Sequence, residues 1–144
     1  YNDEDAIPLA PGSFAAQKYQ LLISGTDTAF ELAKKYDLLF GFGTDSQGSP
    51  ALAARQGAQL AKLTRYFEPW EVLKIATSQN YEIFKRSGPR DPYPGDNGVV
   101  REGAYADLLL VDGNPLENID LIADPEKNFV IIMKDGVIYK NTLE

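Results

Sequence analysis

The sequence predicts an α/β segment followed by a small β unit. A short apolar run, Leu38-Leu39-Phe40-Gly41-Phe42, stands between two helical stretches, and helix–strand–helix order is the unit of an α/β fold. A proline-rich stretch from Gly88 to Gly98 then changes the composition. Beyond it, apolar runs of strand length follow. Lys134-Asp135-Gly136 separates two of them, and Asp-Gly suits a type I′ hairpin turn.

Taken in order, residues 1–12 read as a polar loop ending Leu9-Ala10-Pro11-Gly12, and Ser13 is a helix N-cap. Phe14 to Tyr36 follows as one long amphipathic helix. Leu22, Thr26, Ala29, Phe30 and Ala33 fall at helical spacing, and Lys34 and Lys35 suit the dipole of the last turn. Gly25 weakens this helix by about 1 kcal/mol relative to Ala, and a break there with Thr26 or Asp27 recapping is the alternative. The run at 38–44 is apolar on both faces, as in a strand covered on both sides. Gly43 to Pro50 is its loop. Ala51 to Phe67 is a helix, and Glu68-Pro69 restarts a second one, from Trp70 to Lys85, ended by Gly88. Its predicted inner face holds Leu73, Ala76, Thr77, Tyr81 and Phe84. The linker contains Pro89, Pro92 and Pro94. Strands are expected at Val99-Val100, Ala106–Val111, Phe129–Met133 and Val137–Tyr139. The domain reading is 1–88, a linker at 89–97, and 98–144.

Composition narrows the chemistry. The 144 residues carry 44% hydrophobic and 24% charged side chains, enough to build a core. The net charge of -7 argues against nucleic acid and anionic membranes as partners. No apolar run approaches the roughly 20 residues of a membrane span. The start, Tyr1-Asn2-Asp3-Glu4-Asp5, reads as a loop of a longer polypeptide, with a processed terminus as the competing reading. Nothing in the chain fixes a cellular compartment. There are no cysteines, so disulfides and thiolate metal sites are excluded. There are also no histidines, so no imidazole in this chain is available to bind zinc or shuttle protons.

Among the remaining groups Asp45 stands out. It follows the predicted strand, in a loop with Gly43 and Gly48, and that end of a strand carries the active site of open sheets and barrels. A plain turn residue is the other reading of the same position.

Four ordered segments then resemble the amidohydrolase superfamily. Leu39-Phe40-Gly41-Phe42-Gly43-Thr44-Asp45-Ser46 is similar to its last barrel strand, which ends Gly-Thr-Asp. Pro69-Trp70-Glu71-Val72-Leu73-Lys74-Ile75-Ala76-Thr77 resembles the next helix. Gly98-Val99-Val100-Arg101-Glu102-Gly103-Ala104-Tyr105-Ala106-Asp107-Leu108 resembles the approach to the C-terminal β domain. Asp112 to Ile119 and Val130 to Asn141 resemble its closing hairpin. The likeness is strongest to the imidazolonepropionase-like and Xaa-Pro-dipeptidase-like branch.

This resemblance implies the C-terminal portion of a TIM-like (β/α)8 metallohydrolase barrel plus part of a small β-sandwich domain. It implies hydrolysis of carbon–nitrogen bonds in small amides, cyclic amides or dipeptides. One or two divalent metals, zinc in the first place, would activate water, lowering its pKa to about 7. Asp45 would touch the metal and handle the proton. Ser46 and Gln47 would contact substrate. The family's metal-binding histidines lie on earlier strands and are absent from these residues. The chain is therefore expected to be inactive alone. Its expected partners are the missing N-terminal part of the same enzyme, or further copies of itself. A stand-alone noncatalytic interaction module is the alternative. A carboxylate pair of Asp45 with Asp27 or Glu68 lacks a reason to converge.

Ser49, Arg55 and Gln56 read as loop or solvated helix. Thr77 reads as structural, and Tyr66, Phe67, Trp70, Tyr81 and Phe84 as core. Asp91, Asp96 and Asn97 do not match the spacing of a calcium loop. Asp112-Gly113-Asn114-Pro115 reads as a turn.

Overall fold

A computed structural model describes residues 8–46 and 50–143. They fall into two compact units, one ending at Leu39 and the other starting at Phe40.

The first unit is one helix, α1 (Phe14–Lys35). Ser13 caps it as the sequence predicts, accepting the Ala16 N–H at 3.1 Å. Gly25 does not break it. The predicted apolar stripe, however, finds no core: α1 has no buried residue, and Phe14 is 83% exposed.

The run at 38–44, which straddles the boundary at Leu39 and Phe40, is extended. The strand predicted there finds no ladder among the described residues. A strand exists only beside a neighbour, and among the described residues no other strand pairs with it. The helix expected over Ala51–Phe67 is broken into α2 (Pro50–Ala54), α3 (Gln56–Ala61) and a 3-10 turn at Lys62–Arg65. The break falls at Arg55, whose backbone leaves the helical region.

The next helix runs as α4 (Pro69–Lys74), a π turn at Ile75–Gln79, and α5 (Asn80–Lys85). Pro69 opens it, and Glu68 with Glu71 forms a capping box; the Glu68 N–H donates to the Glu71 carboxylate at 2.8 Å. The inner face differs from the expected one. Val72, Ile75 and Tyr81 are buried, while Phe84 and Trp70 are exposed. Val72 and Tyr81 lie about two and a half turns apart at 3.6 residues per turn, which would put them on opposite sides of an unbroken α-helix. The wider π turn brings Tyr81 back toward the core.

Gly98 to Val100 forms no strand; a single parallel bridge joins Asp96 to Ala104 instead. The expected strands beyond it do form: β1 (Leu108–Val111), β2 (Phe129–Lys134) and β3 (Val137–Asn141), an antiparallel sheet in the order β1-β2-β3. The Asp135-Gly136 turn has positive φ at both positions, 50° and 76°, as a type I′ turn requires. Asp107 ties this turn down. It accepts the Asp135 N–H at 2.7 Å and faces the Lys134 ammonium at 3.5 Å. That carboxylate raises the Lys134 pKa, with Asp135 adding to it.

Between β1 and β2, Asn118 caps a 3-10 turn at Ile119–Ile122, and Asp124 caps α6 (Pro125–Asn128). Lys140 closes α6 by donating to the Pro125 and Glu126 carbonyls at 2.9 and 2.7 Å. The 119–122 turn lies on α3 at Gly57, where a Cβ would sit 2.0 Å from the Ile122 carbonyl oxygen. Buried Leu60, Ala61, Phe67, Val72, Ile75, Tyr81, Ile119 and Phe129 form the core.

The approach to the sheet is latched to α5. Tyr81 donates its hydroxyl to the Gly95 carbonyl, and Asp96 pairs with Arg101 and with Lys85, the latter at 2.9 Å. The hydrogen bond from Arg101, and then that from Lys85, holds the Asp96 carboxyl below its ordinary pKa. The bond to Asp96 raises Lys85. A depressed carboxylate stabilises the fold above its unfolded pKa and loses that contribution as pH falls through the folded value. The Asp96→Asn chain is therefore expected to lose less of its thermal midpoint than wild type between pH 5 and pH 2. Melting curves across that range check it.

Candidate active site

Asp45 sits at the end of the extended segment, with its side chain in solvent. Its φ is 48°, in the left-handed region, which Asp tolerates better than most residues. The turn is bracketed by two hydroxyls: Thr44 Oγ1 and Ser46 Oγ lie 3.2 Å apart. The left-handed backbone at Asp45 brings these neighbours together and leaves the carboxylate outside their bond. Ser46, expected at the substrate, is thus beside Asp45 and half-buried. Gln47, the other expected substrate contact, lies outside the described residues, as does Ser49.

The segment before Asp45 is held from one side by helix residues. The Asn80 carboxamide accepts the Phe42 N–H at 2.9 Å and donates to the Phe42 carbonyl at 3.0 Å. Gln79 Nε2 donates to the Phe40 carbonyl at 2.9 Å. The Phe40 ring packs on Phe67, centroids 5.3 Å apart. Sequence reasoning did not single out Asn80 or Gln79. Their partners lie nearly forty residues away, and no local pattern announces such bonds.

The remaining candidates take structural roles. Thr77 donates to the Leu73 carbonyl at 2.7 Å, within its own helix. Gln56 is exposed. Asp91 accepts the Tyr93 N–H at 3.0 Å and Asp96 is taken up by Lys85 and Arg101, in keeping with linker chemistry. Among the described residues no group of three His, Cys, Asp or Glu side chains is placed to hold a metal. None of the described helices is long and apolar enough to cross a membrane.

The model of the amidohydrolase family matches residues 14–141. The chain belongs to the amidohydrolase family. Its match takes in both the Asp45 turn and the β1–β3 sheet. Among curated proteins, ochratoxinase of Aspergillus niger is 30% identical over 125 residues, which is 85% of this chain and 24% of that protein. The crystal structure of the A. niger ochratoxinase superposes with a TM-score of 0.73 at 26% identity, covering 93% of this chain and 28% of that one. A prolidase crystallised with N-methylphosphonate-L-proline gives 0.66 at 29% identity, covering 80% and 26%. The chain thus spans about a quarter of the length of these amidohydrolases. Its mixed helix and sheet content is that of part of an α/β fold.

Proposed function

We propose that this chain is the part of a metal-dependent amidohydrolase that supplies the proton-handling carboxylate, Asp45. The observation that carries the reading is the family match over residues 14–141, within which an exposed aspartate stands on a left-handed turn at the end of an extended segment. Residues 1–88 would complete the barrel of the parent enzyme, 89–97 would link, and 98–144 would belong to its β domain.

The donor set of this chain does not hold a metal by itself. It offers one exposed carboxylate at Asp45, no histidine, and no acidic cluster among the described residues. In this reading Asp45 would be one ligand of one or two divalent metals, zinc first among them, and residues outside the chain would supply the others. Asp45 itself accepts a proton from the attacking water and returns it to the departing nitrogen. Ser46, and Gln47 beside it, would line the bound substrate. Substrates would be small amides, cyclic amides or dipeptides. The relatives' names point the same way, since one is a prolidase.

The sheet supports a partner. By register, Leu108, Leu110, Ile131, Met133 and Ile138 share one face, and Leu109, Val130, Ile132 and Val137 share the other. Both faces are apolar and both keep exposed side chains: Leu110 and Ile138 on the first, Leu109 and Val137 on the second. A sheet of this kind is stable between two layers. The remainder of the same enzyme is the proposed cover, with self-association in its absence.

The purified chain with added zinc or manganese is therefore expected to hydrolyse no dipeptide or amide substrate above the metal-only rate. Release of free amine by the chain alone would refute the reading.

A further inference from the structure

The geometry points to Asn80 as the positioning residue of the segment that carries Asp45. In an antiparallel pair, a residue exchanges both its N–H and its C=O with one residue opposite. Phe42 does this with a side chain. Its N–H donates to Asn80 Oδ1 and its carbonyl accepts from Asn80 Nδ2. A carboxamide is the side chain suited to the task, because it presents one acceptor and one donor side by side. Its orientation is fixed by the partners, since turning the amide over would set N–H against N–H. The second Nδ2 hydrogen faces the Ala76 carbonyl at 3.4 Å, so the group is also tied to its own helix.

Gln79 adds a single bond two residues earlier, its Nε2 donating to the Phe40 carbonyl. Phe40 and Phe42 are alternate residues, and alternate residues of an extended chain turn their polar groups to the same edge. The two amides therefore stand along that edge as a neighbouring strand would. The π turn at Ile75–Gln79 directly precedes Asn80. Its wider winding narrows the angle between consecutive side chains, which lets both residues reach the same segment.

The approach is close. A Cβ on Gly41 would lie 2.2 Å from Asn80 Oδ1 and 2.9 Å from the Ile83 methyl, so glycine is required there for the amide to reach Phe42. Phe42 is three residues before Asp45. Holding its peptide fixes where the left-handed turn begins, and with it the direction of the carboxylate. That Asp45 is held for chemistry rests on the reading above; the clamp itself does not.

Amide hydrogen exchange and carbon shifts in the full 144-residue chain test this without any catalytic readout. In Asn80→Ala the Phe42 amide is expected to exchange about tenfold faster or more, and the Asp45 Cα and Cβ shifts to move toward random-coil values. Amides in the β2–β3 pairing, such as Ile132 and Lys140, should stay within twofold. Asn80→Asp keeps an acceptor for the Phe42 N–H but sets a carboxylate oxygen where the donor faced the Phe42 carbonyl, so its Phe42 protection should fall between that of wild type and that of Asn80→Ala. Gly41→Ala leaves Asn80 in place but crowds it out, and should reproduce the Phe42 loss. Equal Phe42 exchange in wild type and Asn80→Ala would overturn the clamp. So would equal acceleration at Phe42, Ile132 and Lys140 in both Asn80 variants, which marks a general loosening. Should Phe42 respond as expected while Asp45 proves dispensable for turnover, the clamp stands and only the catalytic reading fails.

Discussion

Asp45→Asn in the complete enzyme is expected to lower kcat by about 10²–10⁴-fold, the usual contribution of a positioned acid–base group. The substitution is a clean one for physical reasons. Asp45 has a φ of 48°, and Asn is among the few residues that tolerate that region. The side chain is in solvent, so the change leaves no buried group unsatisfied. The bracket between Thr44 and Ser46 does not include the carboxylate and should persist. Asn keeps the shape and removes the ability to take and return a proton. Asp45→Ala is a poorer probe, because Ala in a left-handed turn adds backbone strain. Steady-state kinetics on wild type and Asp45→Asn, with circular dichroism to show an unchanged fold, check the prediction. An unchanged kcat would remove Asp45 from the chemistry.

Gly98→Val is expected to destabilise the unit starting at Phe40 more than any surface change. Two separate costs add at this position. Gly98 has a φ of 67°, where a β-branched residue is strained by about 1–3 kcal/mol. A Cβ there would also lie 2.6 Å from the Thr77 carbonyl carbon and oxygen, which are backbone and cannot rotate away. Overpacking of that kind adds about 1–3 kcal/mol. The sum is a large share of the roughly 5–15 kcal/mol that holds a domain folded. Gly103 provides the control: its φ is 82°, yet nothing stands within 4 Å of a Cβ there. Gly103→Val should show the strain without the collision. Chemical denaturation of both variants separates the two costs.

How far the sequence revealed the fold follows from the range of each interaction. The β2–β3 hairpin was legible because Asp135 and Gly136 set its turn locally. The start of α1 was legible because Ser13 caps it within three residues, and the helix at Pro69 because proline suits a first helical turn. The missing ladder at 38–44 has the opposite cause. The run Leu38-Leu39-Phe40-Gly41-Phe42 has strand composition, but pairing depends on a neighbour that its own residues cannot specify. The buried stripe of α4 and α5 was misplaced because a π turn shifts the helical phase, and no residue pattern in Ile75–Gln79 announces it. Asp45 was singled out by its place after the predicted strand, in a loop with Gly43 and Gly48, and the ordered motifs around it gave that place a role. Asn80 was missed because a side chain meeting backbone across such a distance leaves no periodic trace.

The central claim is that Asp45 works only with ligands supplied from outside this chain. Complementation measures it most directly. The 144-residue chain, the separately purified remainder of its parent enzyme, and their mixture would each be assayed with zinc on the same amide substrate. Turnover in the mixture alone, lost when Asp45→Asn replaces the wild-type chain, is the expected result. Turnover by the 144-residue chain alone, or by the remainder without it, would contradict the account.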